Sequence, residues 1–410
     1  MVSPLTAMRQ MRVAICDDFR EERWPSMDRV ASMLHSQLKQ HHADAFDADR
    51  ICPPFLRAAT RVPLAGQSRM AFNADRFLNR FWRYPRHVEA RAPQYDLFHI
   101  VDHSYAHLAH ALPAVRTIVT CHDLDAFRSV LAPADEKRSG AFRTMTGDIL
   151  SGLQRAARVM CDTASIRDEL AVRGLIAPER LVVTPLGVDR VFFTPRDETA
   201  DRAASQVVPV PAGAIEILHV GTTAERKRID VLLRVCGALG REIPQLRLTR
   251  IGDPFTVEQQ HVLRDAGLAD RFTAVNHVDE STLAALYRRA ALVLQPSARE
   301  GFGLPVIEAL ASGTPVVASD VSVLREVGGT AVEYCTVGDV DAWRRKVATL
   351  LQERRDSPLQ WSARRERGRE HARRFTWERF AADVAQVYRD VAAESGIDAG
   401  NQVERWRAHA

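Results

Sequence analysis

Ser297-Ala298-Arg299-Glu300-Gly301-Phe302-Gly303-Leu304-Pro305-Val306-Ile307-Glu308-Ala309-Leu310-Ala311-Ser312-Gly313-Thr314-Pro315 is the stretch from which the rest of the chain is read. It follows an apolar run, Leu292 to Gln295, that reads as a buried strand. Gly301 and Gly303 let the chain turn tightly, and Pro305 suits the first turn of a helix. Strand, glycine turn and helix are therefore expected in succession, with the helix N-terminus at the carboxyl end of the strand. Its free N–H groups and positive dipole end make that place a site for phosphate or an electron-rich sugar oxygen, and α/β sheets bind ligands there. Glu308 falls one turn into the helix and Glu300 precedes it, which sets two carboxylates at different depths of one crevice. A carboxylate accepting from vicinal hydroxyls makes charge-assisted bonds of roughly 1.5 to 3 kcal/mol, enough to orient a polyol.

Outward from this stretch, apolar runs alternate with segments of helical period. Residues 215–220, 246–251, 271–275, 315–318 and 331–334 join 292–295 in one series of expected strands. An earlier series comprises 13–16, 97–101, 117–121, 158–161 and 181–184. Strands alternating with helices predict a parallel sheet, so the fold class is α/β with two Rossmann-like units. A chain of 410 residues also exceeds what one core usually organises. Residues 196–213 are polar and proline-marked without clear period, and are expected to be the linker between domains at 1–195 and 214–375. A last helix, over about 376–395, would place Phe380, Val384, Tyr388 and Val391 on one face and return to the first domain.

Two more segments end strands with chemistry-bearing residues. His219-Val220-Gly221-Thr222-Thr223-Ala224-Glu225-Arg226-Lys227-Arg228 runs from a strand into a turn with three clustered cations. Lys227 is one of only four lysines among 56 basic residues, and a compact ammonium suits a phosphate oxygen. Thr117-Ile118-Val119-Thr120-Cys121-His122-Asp123 ends in a histidine and an aspartate, again at a carboxyl end.

Together these segments resemble the retaining glycosyltransferases of family 4, whose signature is the glutamate-seven-residue-glutamate segment matched by Glu300 and Glu308. The resemblance implies a GT-B fold, two Rossmann-like domains facing across a cleft. It implies that Glu300 approaches the transferred sugar, that Glu308 binds the nucleotide ribose, and that the backbone of Gly301, Phe302, Gly303 and Leu304 contacts sugar and phosphate. Arg226 and Lys227 would grip the diphosphate and offset charge on the departing nucleotide, with no metal and no cofactor required. His122 would stand near the transferred sugar, and Gly252 and the turn at Val278 would lodge the base. The implied reaction moves a hexose, mannosyl or glucosyl in type, from a nucleoside-diphosphate sugar to a glycan or lipid-linked acceptor. The resemblance extends to Leu186-Gly187-Val188-Asp189 and Phe375-Thr376-Trp377 but departs near the start. Residues 17–26, Asp-Asp-Phe-Arg-Glu-Glu-Arg-Trp-Pro-Ser, contain no glycine where many members have a glycine-rich loop, so acceptor contacts are not carried over. A sugar-nucleotide epimerase, a phosphorylase and a non-catalytic sugar-nucleotide-binding protein remain alternatives on this fold.

Composition narrows the setting. Hydrophobic content of 46% and charged content of 26% suit a protein that folds in water, and no apolar run approaches a membrane span. The start lacks the features of a secretory signal, which predicts the cytoplasm. Six scattered cysteines read as buried thiols. Net charge of +4 does not argue for nucleic acid. Residues 50–91 carry nine arginines interleaved with Phe72, Phe77, Phe81, Trp82 and Tyr84, a mixture suited to peripheral contact with an anionic membrane or to packing on the domain's own sheet. His99, His103, His107 and His110 include helical metal-ligand spacings, but no array of cysteines or carboxylates accompanies them. Asp47-Ala48-Asp49 and Asp123-Leu124-Asp125 have D-x-D spacing without a convincing metal context.

Overall fold

A computed structural model describes residues 9–62 and 68–397. The described residues form two parallel six-stranded sheets. The first contains β1 (Met11–Cys16), β2 (Phe46–Ile51), β3 (Leu97–Ile100), β4 (Thr117–Cys121), β5 (Arg158–Cys161) and β6 (Leu181–Val183), in the order β2-β1-β3-β4-β5-β6. The second contains β7 (Ile215–Val220), β8 (Leu246–Ile251), β9 (Phe272–Val275), β10 (Leu292–Gln295), β11 (Val316–Ser319) and β12 (Glu333–Cys335), in the order β12-β11-β10-β7-β8-β9. Central strands such as β4 and β10 are buried along their whole length, which is why they read as unbroken apolar runs.

Both sheets are doubly wound, so each has a place where the chain leaves one strand for opposite sides. In the first it lies between β1 and β3, in the second between β7 and β10. Each sheet has its own core. Phe98, Ile100, Val119, Val159 and Leu153 lie in the first, and Ile217, Leu248, Leu292, Val317 and Trp343 in the second. All six cysteines are free and five are buried, with Cys52 half-buried.

The compact units are the chain to Pro185 together with the residues from Trp377, and Leu186–Thr376. The terminal helix Trp377–Glu394 does belong with the first unit, and Phe380, Val384, Tyr388 and Val391 are all fully buried. Tyr388 reaches Nδ1 of His99 at 2.7 Å and packs edge-on to Phe46.

One expectation is corrected. The stretch 196–213 is not a structureless linker: Glu198–Val207 is a helix, capped by Asp197 through the N–H groups of Thr199 and Ala200. It belongs to the second unit, where Arg288 bonds Asp201 at 2.8 Å. The division therefore falls near residue 185, before the expected boundary at 195. Asp47-Ala48-Asp49 lies inside strand β2, where Phe46 and Ala48 point inward and Asp47 is exposed. The alternation is that of an edge strand, with polar groups on the solvent side.

Candidate functional site

In the second unit, four loops leave the carboxyl ends of neighbouring strands β10, β7, β8 and β9 in that spatial order. They carry Ser297–Gly303, Gly221–Lys227, Gly252 and the turn at Val278. Strands spaced about 4.8 Å apart make this rim about 14 Å from first loop to last. The rim is stitched by backbone and side-chain bonds. Ala298 N–H donates to Arg226 O at 2.7 Å, Gly221 N–H to Ile251 O at 3.0 Å, and Gly252 N–H to Val275 O at 2.9 Å.

Glu300 and Lys227 come together from the two strands that flank the switch point. Lys227 Nζ donates to both carboxylate oxygens, at 2.8 and 2.7 Å. Arg226 adds a longer contact of 3.4 Å and donates to Arg299 O at 3.2 Å, and Gln295 donates its amide to Oε1. The Glu300 side chain is only 5% exposed. Burial alone raises a carboxyl's pKa, but the charges of Lys227 and Arg226 outweigh it, and Glu300 lies below its ordinary value. It is an ionised, buried acceptor held by cations on a strand-end loop. Arg228, the third cation of the sequence cluster, does not join it. Its guanidinium is spent on Asp230, with two bonds of 3.0 Å, and its backbone sits in the left-handed region at φ 48°.

The helix expected after the glycine turn is Leu304–Ala311. Gly303 enters it at φ 94°, and a Cβ there would stand 2.8 Å from Leu324, so this position requires glycine. Gly301 is not among the residues with positive φ. Phe302 is buried, its ring 5.9 Å from that of Phe375, which leaves only its backbone for a ligand. Glu308 is buried and accepts from the Tyr287 hydroxyl at 2.9 Å. Val278 is half-buried beyond β9, ahead of a helix capped by Asp279.

Beneath the rim lie residues that sequence reading missed. Arg250 is fully buried, donates to Gly221 O at 2.8 Å and also bonds Asp253 O, tying two loops together. Burial lowers its pKa to about 10. Gly252, at φ 136°, lies so close that a Cβ would meet Gly221 O at 2.0 Å. His219 is fully buried with both ring nitrogens unpartnered among the described residues, and burial with the nearby charges of Arg250 and Lys227 takes its pKa down to about 3. Tyr287 and Arg250 carry no spacing signal, because their partners Glu308 and Gly221 O lie 21 and 29 residues away.

His122 belongs to the first unit, at the end of β4. Its Nδ1 faces Asp162 Oδ2 at 2.7 Å and its Nε2 faces Val101 O at 2.7 Å. Two acceptors on two ring nitrogens require both N–H groups, so the ring is an imidazolium. Burial opposes this charge, but Asp162 overcomes it and the pKa rises to about 9. Neither ring nitrogen is left to bond a ligand, so any part His122 plays is that of a fixed positive charge. Its neighbour His103 accepts the His122 backbone N–H at 3.2 Å. The remaining histidines disperse: His99 bonds Tyr388 and Thr120, His107 bonds Arg80 O, and His110 bonds Asp148 O.

Two family models match this chain. One described as Glycosyl transferases group 1 matches residues 201–374, and one described as Glycosyltransferase Family 4 matches residues 22–192. The D-inositol 3-phosphate glycosyltransferase of Salinispora tropica is 30% identical over 332 residues, which is 74% of this chain and 65% of that protein. The chain thus matches somewhat less than two thirds of that relative's length. Sucrose-phosphate synthase from Thermosynechococcus elongatus superposes with a TM-score of 0.71 at 21% identity, over 94% of this chain and all of the other. Anabaena HepE, in complex with UDP and glucose, does so with a TM-score of 0.68 at 16% identity, over 93% of this chain and all of the other. At such identities the likeness to these structures is one of fold.

Proposed function

This chain belongs to glycosyltransferase family 4 and has the GT-B type of fold, and from that premise we propose that it transfers a hexose, mannosyl or glucosyl in type, from a nucleoside-diphosphate sugar to a glycan or lipid-linked acceptor with retention of anomeric configuration. The observation that carries the reading is the Lys227–Glu300 pair at the switch point of the second sheet. A ligand laid along that rim meets Glu300 and the Gly301–Leu304 backbone at its sugar end, Lys227 and Arg226 at its diphosphate, Glu308 at its ribose, and Gly252 and Val278 at its base.

On this reading the negative charge that builds on the leaving diphosphate is met by Lys227, Arg226 and the N-terminus of the Leu304–Ala311 helix. These fixed charges take the place of a divalent metal, and no cofactor enters. Ionised Glu300 lies where it can accept from sugar hydroxyls and stabilise the positive character of an oxocarbenium-like state. The departing phosphate accepts the proton of the acceptor hydroxyl, so each bond made and broken is balanced without a further base. The setting we propose is polysaccharide or glycolipid assembly at the cytoplasmic face of a membrane. No helix among the described residues is long and apolar enough to cross one. Peripheral contact is supported by Met70, Phe77 and Trp82, each more than half exposed, with Arg86 stacked 3.7 Å over the Trp82 ring.

The test is a thermal-shift panel of nucleoside diphosphates. A diphosphate at 100 times its Kd adds about 2.7 kcal/mol, which for a unit of this size is a shift of roughly 5 to 10 °C. At least one base is expected to produce it in the wild type and to lose it in Lys227→Ala. A panel without any shift sinks the reading. Turnover of the sugar nucleotide without acceptor points instead to an epimerase or hydrolytic activity, and proton NMR of the product's anomeric coupling decides retention.

A further inference from the structure

Strands β1 and β2 end together: in their register Cys16 lies beside Ile51. The residues that follow them therefore leave the first sheet side by side at its carboxyl end. With Phe72 from the helix Arg69–Leu78 they line an open cavity of about 610 Å³, to which they contribute Arg20, Glu21, Glu22, Arg23 and Arg57, a volume that suits a small-molecule ligand.

Both loops are built to hold their shape. On the β2 side, Asn79 bonds the N–H and C=O of Leu56, at 2.8 and 2.7 Å. The buried Asp75 carboxylate takes the N–H groups of Ala58, Ala59 and Thr60 at 2.6 to 2.9 Å. Arg57 thus stands between two pinned residues. On the β1 side, Arg23 sits in the left-handed region, φ 59° and ψ 51°, a backbone that a residue with a Cβ adopts at a cost and that is retained most often at functional turns.

The charge balance in this cavity is positive. Glu22 accepts from Arg76 at 2.9 Å, Arg80 at 3.2 Å and the Trp24 indole at 3.3 Å, so its charge is neutralised twice over. Arg80 in turn lies 4.1 Å over the Tyr105 ring. Asp17 is bound to Arg50 at 2.6 Å, and Asp18 is buried beside Asp102, where burial and that second carboxyl push its pKa well up and disfavour its charged form. Glu21 remains, 3.9 Å from Arg57, and Asp28 lies within electrostatic reach of Arg20. Three arginines, Arg20, Arg23 and Arg57, therefore line the cavity, where Glu21 near Arg57 and Asp28 near Arg20 offset only part of their charge. That is more than the two oxygens of a carboxylate ligand would need, and it suits a phosphate, which arginine engages with paired donors.

We propose that this cavity binds a phosphate group of the acceptor, a phosphomonoester or phosphodiester whose oxygens are met by Arg20, Arg23 and Arg57. The proposal rests on the reading of the chain as a transferase with its donor in the second unit. It locates acceptor selection in the segment where the glycine-rich loop of other members is missing.

The test uses the full chain in wild-type form, the Arg20→Gln/Arg57→Gln variant, and Arg23→Gly, which removes the side chain with its charge and is compatible with the left-handed turn. Each is titrated calorimetrically at low salt with inorganic phosphate, with glycerol 3-phosphate, and with phosphatidylcholine vesicles lacking or containing phosphatidylglycerol. The nucleoside diphosphates of uracil, guanine and adenine are run in parallel. The expected result is binding of a phosphate probe that weakens at least tenfold in both variants, with nucleotide binding unchanged. If glycerol 3-phosphate shows this, the acceptor phosphate is a soluble one; if only phosphatidylglycerol vesicles do, it is a lipid headgroup. If wild type and variants treat every phosphate probe alike while a nucleotide still binds, the cavity proposal is overturned and the donor reading stands. If no nucleotide binds any of the proteins, the donor reading fails, and the phosphate arms still decide the cavity.

Discussion

Replacing Lys227 with methionine removes the ammonium that Glu300 holds at 2.7 and 2.8 Å and keeps most of the side chain's length. Glu300 is then a carboxylate with a 5% exposed side chain, left with Gln295, Ser297 and the more distant Arg226. Breaking a buried pair in this way typically costs about 3 to 5 kcal/mol, but the carboxyl has an escape, since it can take up a proton. For a group of ordinary pKa 4.5, protonation at pH 7 costs roughly 3 kcal/mol, and at pH 5 less than about 1 kcal/mol. With Arg226 retained, the pH-dependent part of the loss is about 2 to 3 kcal/mol at pH 7 and under about 1 kcal/mol at pH 5, on top of the wild-type benefit that is lost at both. The sign follows from linkage. In the wild type the depressed pKa gives stability above pH 4.5 that is lost as pH falls through the folded value. In the variant the raised pKa makes a penalty that grows as pH rises above 4.5. The gap between the two proteins therefore widens with pH. Urea unfolding of the second unit at pH 5, 6 and 7 measures it, with Glu300→Gln as the background in which Lys227→Met should cost under about 1 kcal/mol. A loss that is the same at pH 5 and pH 7, or the same in both backgrounds, would refute the argument that a buried ionised Glu300 needs Lys227.

Gly252→Ala puts a Cβ 2.0 Å from Gly221 O at φ 136°, and is expected to lower the melting point of the second unit and abolish stabilisation by nucleoside diphosphates. A fully folded variant that still binds them contradicts the packing of the two loops. The His122 imidazolium, with its pKa near 9 against an ordinary 6.5, should contribute on the order of 3 kcal/mol below pH 6.5 and lose it as pH rises through about 9. The stability difference between wild type and His122→Asn should shrink over that window, and an NMR titration of His122 with a midpoint below 7 would rule the charge out. Phe77→Ser with Trp82→Ser, both at exposed positions, should reduce sedimentation with anionic vesicles severalfold at unchanged melting temperature. Equal sedimentation removes the membrane contact from the proposal.

Most of the candidate site in the second unit was readable because one contiguous segment carries it. Residues 297–315 contain a strand end, the glycine that the backbone demands at Gly303, the proline of the first helical turn and both glutamates, so local rules and site chemistry coincide. Lys227 could be singled out for its rarity, yet only the sheet order, which sets β7 beside β10, shows that its partner is Glu300. Where the local signal is weak, the reading fails for identifiable reasons. The helix Glu198–Val207 buries only Ala200 and Ala204, too small an apolar stripe to register as a period. Strand β2 has charged residues on alternate positions because it lies at an edge. His122 was found by its place at a strand end, but its charge state depends on Asp162 and the Val101 carbonyl, 40 and 21 residues away.

The same logic explains why the two units differ in how much their sequences disclose. A nucleotide diphosphate offers the same groups to every protein that binds it, and a short conserved geometry of backbone N–H groups, cations and carboxylates can meet them in one or two loops. The arginine cavity of the first unit has no such compactness. Arg20 and Arg23 follow β1, whereas Arg57 follows β2 after a helix and a strand, and they meet only because Cys16 and Ile51 are in register. The loop of Arg57 is then fixed by Asp75 and Asn79 from a third segment, and the loop of Arg20 and Arg23 is tied to the same segment through Glu22 and Arg76. A constellation drawn from three places in the chain can be altered one side chain at a time without disturbing either sheet, since none of its arginines is buried. Under the proposal, substitutions of Arg20, Arg23 and Arg57 are expected to weaken phosphate binding at this end of the first unit while nucleoside-diphosphate binding in the second unit stays unchanged, which the parallel titrations measure.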